Sequence, residues 1–278
     1  MPTGLSVWLM SCCGRRMFRR ILSAGLLVWG LAVPPVSAAS SPWKENKSDH
    51  FIVACQHVPP DFVREVIRTA EANYIETMTT LGFTRYKGWA WGSRVRITIY
   101  DSREAYVDSS HYGWSAGEVN PASREIVTFP SESGFFDAIL PHELGHIIFH
   151  EAVGFRDNVP LWLDEGVAMY QEKARRLGAD AAVRELIHTG RYMPLDVLSR
   201  MDLGAGTDRD TVDGFYNEAA SLVGFLINKG EVYRFARLCD ELRGGRRFAW
   251  ALRKAYMQYT DPAELEKAWR RYLNEAAD

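Results

Sequence analysis

Cysteine is scarce in this chain. There are four in 278 residues, and two of them, Cys12 and Cys13, lie near the N-terminus. A membrane-length apolar run is missing too. The stretch from Ile21 to Val33, ILSAGLLVWGLAV, has thirteen residues, whereas a bilayer span takes about 20. Nor is there an excess of positive charge: 33 Lys and Arg stand against 35 Asp and Glu, a net of −2. The first 38 residues hold four of the Arg and no acid, so the remainder carries 29 bases against 35 acids, a net of −6. A mildly acidic body argues against nucleic acid, or an anionic membrane, as partner. Internal repeats and Ser/Gly/Pro-rich linkers are also lacking, which excludes low-complexity readings. What is present is ordinary globular composition, 47% hydrophobic and 24% charged. Nine Trp and 12% aromatic residues predict a tightly packed interior or a cleft lined with rings.

The N-terminus has the order of a secretory signal: a basic block (Arg15, Arg16, Arg19, Arg20), the apolar run, Pro34-Pro35, then the small residues Val36-Ser37-Ala38. Residues 1–38 are therefore expected to be a signal peptide cleaved after Ala38, with the mature protein exported, periplasmic or secreted. Met17 is an alternative start, and an uncleaved anchor holding the protein at the inner membrane is the rival reading. Apart from such an anchor, no stable membrane association is expected. Export leaves Cys55 and Cys239, enough for one disulfide of a single connectivity or for two buried thiols.

Residues 39–49 are polar and read as a loose leader. The run from His50 to Cys55 predicts a buried strand. A helix follows from Pro59-Pro60-Asp61, with Asp61 as its expected N-cap, apolar residues at helical spacing from Val63 to Leu81, and Gly82 as its stop. RVRITIY, Arg94 to Tyr100, alternates like a half-buried strand. A short helix is expected from about Ser102, a loop from His111 to Pro121, and a strand over Glu125–Phe129. From Phe135 onward the pattern is mostly helical. The chain thus reads as α+β, with a mixed α/β half over 50–134, a helical half over 135–278, and a ligand cleft between them.

His142-Glu143-Leu144-Gly145-His146 is an HExxH motif on a predicted helix. Residues four apart share a helix face, so both imidazoles can reach one ion while Glu143 sits beside them as a base for metal-bound water. A hydrolytic zinc takes three protein ligands and keeps one position open. Glu165, in Trp162-Leu163-Asp164-Glu165-Gly166, supplies the third donor from a second helix. One Zn²⁺ per chain is the expected cofactor, held by His142, His146 and Glu165. Pro141, immediately before the first ligand, predicts a kink in the motif helix. His150 lies one turn past His146 and is expected to support the site or face solvent, because a fourth ligand would close it. Asp164 is a candidate to orient a ligand imidazole, to cap its helix, or to be an exposed acid. Loop residues His111, Tyr112 and Trp114 are candidates to line the cleft. The run Arg243, Arg246, Arg247 reads as a solvated face.

HELGH followed after eighteen residues by Glu165 within WLDEG resembles the gluzincin metallopeptidases. The wider layout (FIVAC, RVRITIY with YDSREAY, EIVTF, HELGH, WLDEGVAMY and FYNEAASLVGFLI) is similar to the exported bacterial peptidase MA-like domain over about residues 48–275. That resemblance implies a zincin-like fold, a zinc metallopeptidase, and Glu143 as general base and proton shuttle. It also implies an oxyanion-holding Tyr or His on a later helix, a place matched by Tyr216. No GAMEN-like segment is present to grip a peptide N-terminus, so the expected activity is endopeptidase on a peptide or protein substrate, with the EIVTF strand pairing to it. Two other readings stay open: a zinc-binding scaffold or peptide-binding protein of the cell envelope without turnover, and an amidase acting on cell-wall peptides. Oligomeric state is not legible.

Overall fold

Parallel strands cannot be joined by a tight hairpin and need a crossover; the first half of this protein is built on that requirement. The computed structural model describes residues 42–83, 93–109, 117–130, 134–155, 157–204 and 206–275. Strand β1 (Lys44–Lys47) pairs antiparallel with β2 (Phe51–Cys55). Helix α1 (Pro60–Thr80) then crosses to β3 (Val95–Ile99), which runs parallel to β2. After α2 (Arg103–Asp108), strands β4 (Gly117–Asn120) and β5 (Glu125–Thr128) pair antiparallel, and β5 also runs parallel to β3. The resulting order is β1-β2-β3-β5-β4. Buried Val95, Ile97 and Ile99 alternate with half-buried Arg96 and Thr98 in β3, as the period-2 pattern requires.

Several local expectations are corrected here. Lys44–Lys47, read as part of a loose leader, is an exposed edge strand. Asp61 is not the cap of α1: Pro59 holds that position without a side-chain bond, Pro60 opens the helix, and Asp61 pairs with Arg64 in the first turn. Gly82 does follow the helix end in the left-handed region, at φ +74°. Ser102 caps α2, its Oγ accepting from Ala105 N at 3.2 Å. Strand β4, Gly117–Asn120, lies within the stretch expected to be a loop. Cys55 and Cys239 are both buried free thiols, so no bridge forms.

The second half is helical: α3 (Leu140–Val153), α4 (Leu161–Gln171), α5 (Lys173–His188), α6 (Leu195–Leu198), α7 (Arg209–Gly230), α8 (Val232–Arg243), α9 (Phe248–Ala255) and α10 (Pro262–Glu275). Among the described residues no helix is long and apolar enough to cross a membrane. Helix α3 is buried almost all round, which marks a central helix rather than a surface one. Its entry resolves the Pro141 question. A π-helical turn, Phe135–Ile139, starts after Gly134 at φ +78° and runs into α3. The wider turn absorbs the proline, whose missing N–H falls at the start of α3, and His142 sits on regular helix. Arg243, Arg246 and Arg247 are exposed, as expected, and Arg243 also donates to the carbonyl of Ala152 at 3.3 Å at the end of α3. Arg246 lies over the Trp250 ring, 4.5 Å from its centroid. Trp162 and Trp269 are fully buried, in keeping with the ring-packed interior.

Two glycines set the helix spacing. A Cβ on Gly145, inside HELGH, would lie 3.0 Å from Ala168 Cα of α4. One on Gly166, inside WLDEG, would lie 2.5 Å from the Ala219 carbonyl oxygen of α7. The absent side chains let α3, α4 and α7 approach closely, so that residues flanking these glycines meet.

Candidate metal centre

Polar groups on a buried helix must find partners or pay a desolvation cost of several kcal/mol. On α3 the polar exceptions are His142, Glu143 and His146, 7%, 3% and 2% exposed, and Glu165 on α4 is 2% exposed. His142 and His146, one turn apart, turn their Nε2 atoms toward each other at 3.2 Å. Glu165 Oε2 lies 3.9 Å from the first and 3.7 Å from the second. It is buried and has no hydrogen-bond partner. These three residues form the only candidate metal-holding cluster among the described residues.

The far side of each imidazole explains the tautomer. His142 Nδ1 donates to Glu172 Oε1 at 2.9 Å, and His146 Nδ1 donates to Asp164 Oδ1 at 2.8 Å. A carboxylate accepts only, so each Nδ1 carries the hydrogen and each Nε2 is left with a lone pair. Two lone pairs facing each other beside a bare carboxylate oxygen form a repulsive arrangement unless a cation lies among them. A tetrahedral ion with bonds of about 2.0–2.1 Å would hold its ligand atoms roughly 3.3 Å apart. The observed separations of 3.2, 3.7 and 3.9 Å need only a small movement of Glu165 to meet that. The donor set, two imidazoles and one carboxylate, fits a hydrolytic zinc.

Charge in the site is dense. Burial pushes the Glu143 carboxyl up from its ordinary value; His142 and His146 pull it down, while Glu172 and Glu118 push it further up. Its Oε2 is buried without a partner. Glu165 is raised for the same reason, with Asp164 and Glu143 adding to the rise. Asp164 goes the other way: burial opposes ionisation, but its bonds and proximity to His146 and His150 hold the carboxyl well below the usual range.

The remaining sequence candidates fall as follows. Tyr216 is buried on α7, edge-on to Phe215. It lies one turn before Ala219, on the face that meets Gly166 beside Glu165. His150 joins Asp164 rather than the ligand cluster. His111, Tyr112, Trp114 and the signal segment with its cleavage point lie outside the described residues. Glu172 escaped the sequence reading. It stands seven residues after Glu165, two helical turns on, a spacing that could have flagged a second carboxylate for the same cluster. The EIVTF strand cannot pair with a substrate, because β5 is hydrogen-bonded to β3 on one side and β4 on the other. The strand that approaches α3 is β4, whose Glu118 is close enough to Glu143 to shift it.

A helix pair carries two imidazoles and a carboxylate around one buried point, with a second carboxylate alongside, a cluster that could hold a metal ion. The comparison with known families agrees: the model of the Peptidase MA superfamily matches residues 80–275, and the chain belongs to that superfamily. No curated protein matches the chain.

Proposed function

We propose that the protein is an exported, zinc-dependent endopeptidase of the gluzincin type. The observation that carries this reading is the convergence of two Nε2 lone pairs and the unpartnered Glu165 oxygen at one buried point, next to Glu143. His142, His146 and Glu165 would hold the ion. A bound divalent cation supplies a water whose pKa is lowered towards neutral and polarises the scissile carbonyl. Glu143 accepts the proton as the water oxygen bonds to the carbonyl carbon, then delivers it to the amine as the C–N bond breaks. Its burial-raised carboxyl suits a group that must both take and give a proton. Tyr216 is the candidate donor to the oxyanion. Asp164 and Glu172 fix the ligand tautomers. Substrate in extended form is expected beside β4, which among the described residues has a ladder partner on one side only. Basic, apolar and small residues in signal order support export.

The test pairs metal analysis with turnover. The purified chain is expected to contain one zinc and to cleave members of a broad peptide library, with chelator abolishing cleavage and Zn²⁺ restoring it. Glu143→Gln is expected to keep the metal and lose about 10²–10⁴-fold in rate. Absence of stoichiometric metal overturns the reading. Metal without cleavage of any peptide favours the envelope binding protein instead.

A further inference from the structure

The stripe that carries the two ligands continues one turn further, to His150. Its Nε2 donates to Asp164 Oδ2 at 2.9 Å, while Asp164 Oδ1 accepts from His146 Nδ1 at 2.8 Å. One carboxylate is therefore held at both oxygens by two imidazoles of the same helix. His150 Nδ1 is buried and has no partner. An orphaned lone pair is the lesser burden compared with an orphaned N–H, so the hydrogen sits on Nε2, committed to Asp164. The Phe155 ring lies parallel to the imidazole, 4° between planes and 5.8 Å between centroids, and stacks on the outer member of the chain.

A carboxylate held at one oxygen can still swing about its terminal torsion, which is broad. Held at both, its plane is set, and so is the direction of the bond to His146. That bond fixes the His146 tautomer and aims Nε2 at the ligand cluster. We infer that His150 is a positioning residue, acting through Asp164 to present His146 to the metal. This rests on the metal-site reading above and extends it by one residue that touches neither ion nor substrate.

The experiment measures metal binding on the full chain, by chelator competition for Zn²⁺ and by the Co²⁺ absorption spectrum, with melting of the metal-free protein as a separate measurement. His150→Leu is expected to weaken Zn²⁺ binding by about 10–100-fold, the usual effect of losing an outer partner, and to alter the Co²⁺ spectrum. His150→Gln, whose amide nitrogen can take the place of Nε2, is expected to bind close to wild type. In an Asp164→Ala background, His150→Leu is expected to add no further loss. If the Leu variant does not fold, Gln compared with Asn decides, since the shorter amide cannot place its donor at Asp164. Unchanged affinity and spectrum with only a lowered melting temperature overturns the inference and leaves the metal site standing, as does a full further loss in the Asp164→Ala background. A wild-type chain that binds no metal overturns both.

Discussion

The two halves of the molecule use the same pair of groups to different ends. In the sheet half, His50 Nδ1 donates to Glu71 and His57 Nδ1 to Asp101, each at 2.6 Å. In the helical half, His142 and His146 make the same bond to Glu172 and Asp164. Local chemistry does not separate them; the other edge of the ring does. The His57 side chain is 65% exposed, and the His50 ring packs on Tyr74 at 4.1 Å. On α3 the Nε2 edges of two rings meet at 3.2 Å under nearly complete burial. A His–carboxylate pair is thus an ordinary device for satisfying an imidazole, and convergence with a third donor makes it a centre.

Removing one of the proposed ligands breaks this contrast most severely. His146→Ala is expected to abolish stoichiometric zinc, a loss well beyond the roughly 100-fold cost of an outer partner, read by elemental analysis and chelator competition. Next in size is the helix spacing. Gly166→Ala drives a methyl into the α7 backbone and is expected to cost about 1–3 kcal/mol or more in denaturant unfolding; an unchanged midpoint would contradict the close crossing.

A third prediction concerns a buried carboxylate of the helical half that lies outside the ligand set. Burial, and then the charge of Glu266, pushes Glu218 up to about 8, against the bond that its Oε1 accepts from Met193 N at 2.9 Å. The folded pKa lies above the unfolded one, so the folded state keeps a proton that the unfolded state releases. Stability from this group is present below about pH 4.5 and is lost as pH rises to about 8. Glu218→Gln keeps the acceptor for Met193 and removes the titration. It is expected to melt higher than wild type at pH 8–9 and to lose that advantage near pH 5; parallel pH profiles would refute it. Smallest of all, His57→Ala in the sheet half is expected to change stability by no more than about 1 kcal/mol, because an exposed pair is screened by solvent, and to leave metal content untouched.

The chemistry was more legible than its supports. HELGH places two candidate donors one turn apart by helical spacing, WLDEG offers Glu165 as a third from a second helix, and β3 declares itself by strict alternation. The edge strands β1 and β4 did not, since four residues each, KENK and GEVN, carry no apolar period and are strands only because a neighbour pairs with them. The π turn before Pro141 was invisible because it answers a backbone clash and follows no side-chain pattern. Asp164 was open between capping and orienting until α4 was seen to begin at Leu161 with Pro160 as its cap. The roles of Gly145 and Gly166 are likewise tertiary, set by which helix crosses where.

The strand order has a consequence for how the molecule meets other chains. Its outer margin at β1 bears Lys44, Glu45 and Lys47, all exposed, with Glu45 tied to Arg96; charge of this kind discourages a foreign strand from adding there. The opposite margin, β4, lies against α3 and within electrostatic reach of Glu143. A strand added at that margin, as proposed above for the substrate, would lie within reach of the carboxylate proposed as base.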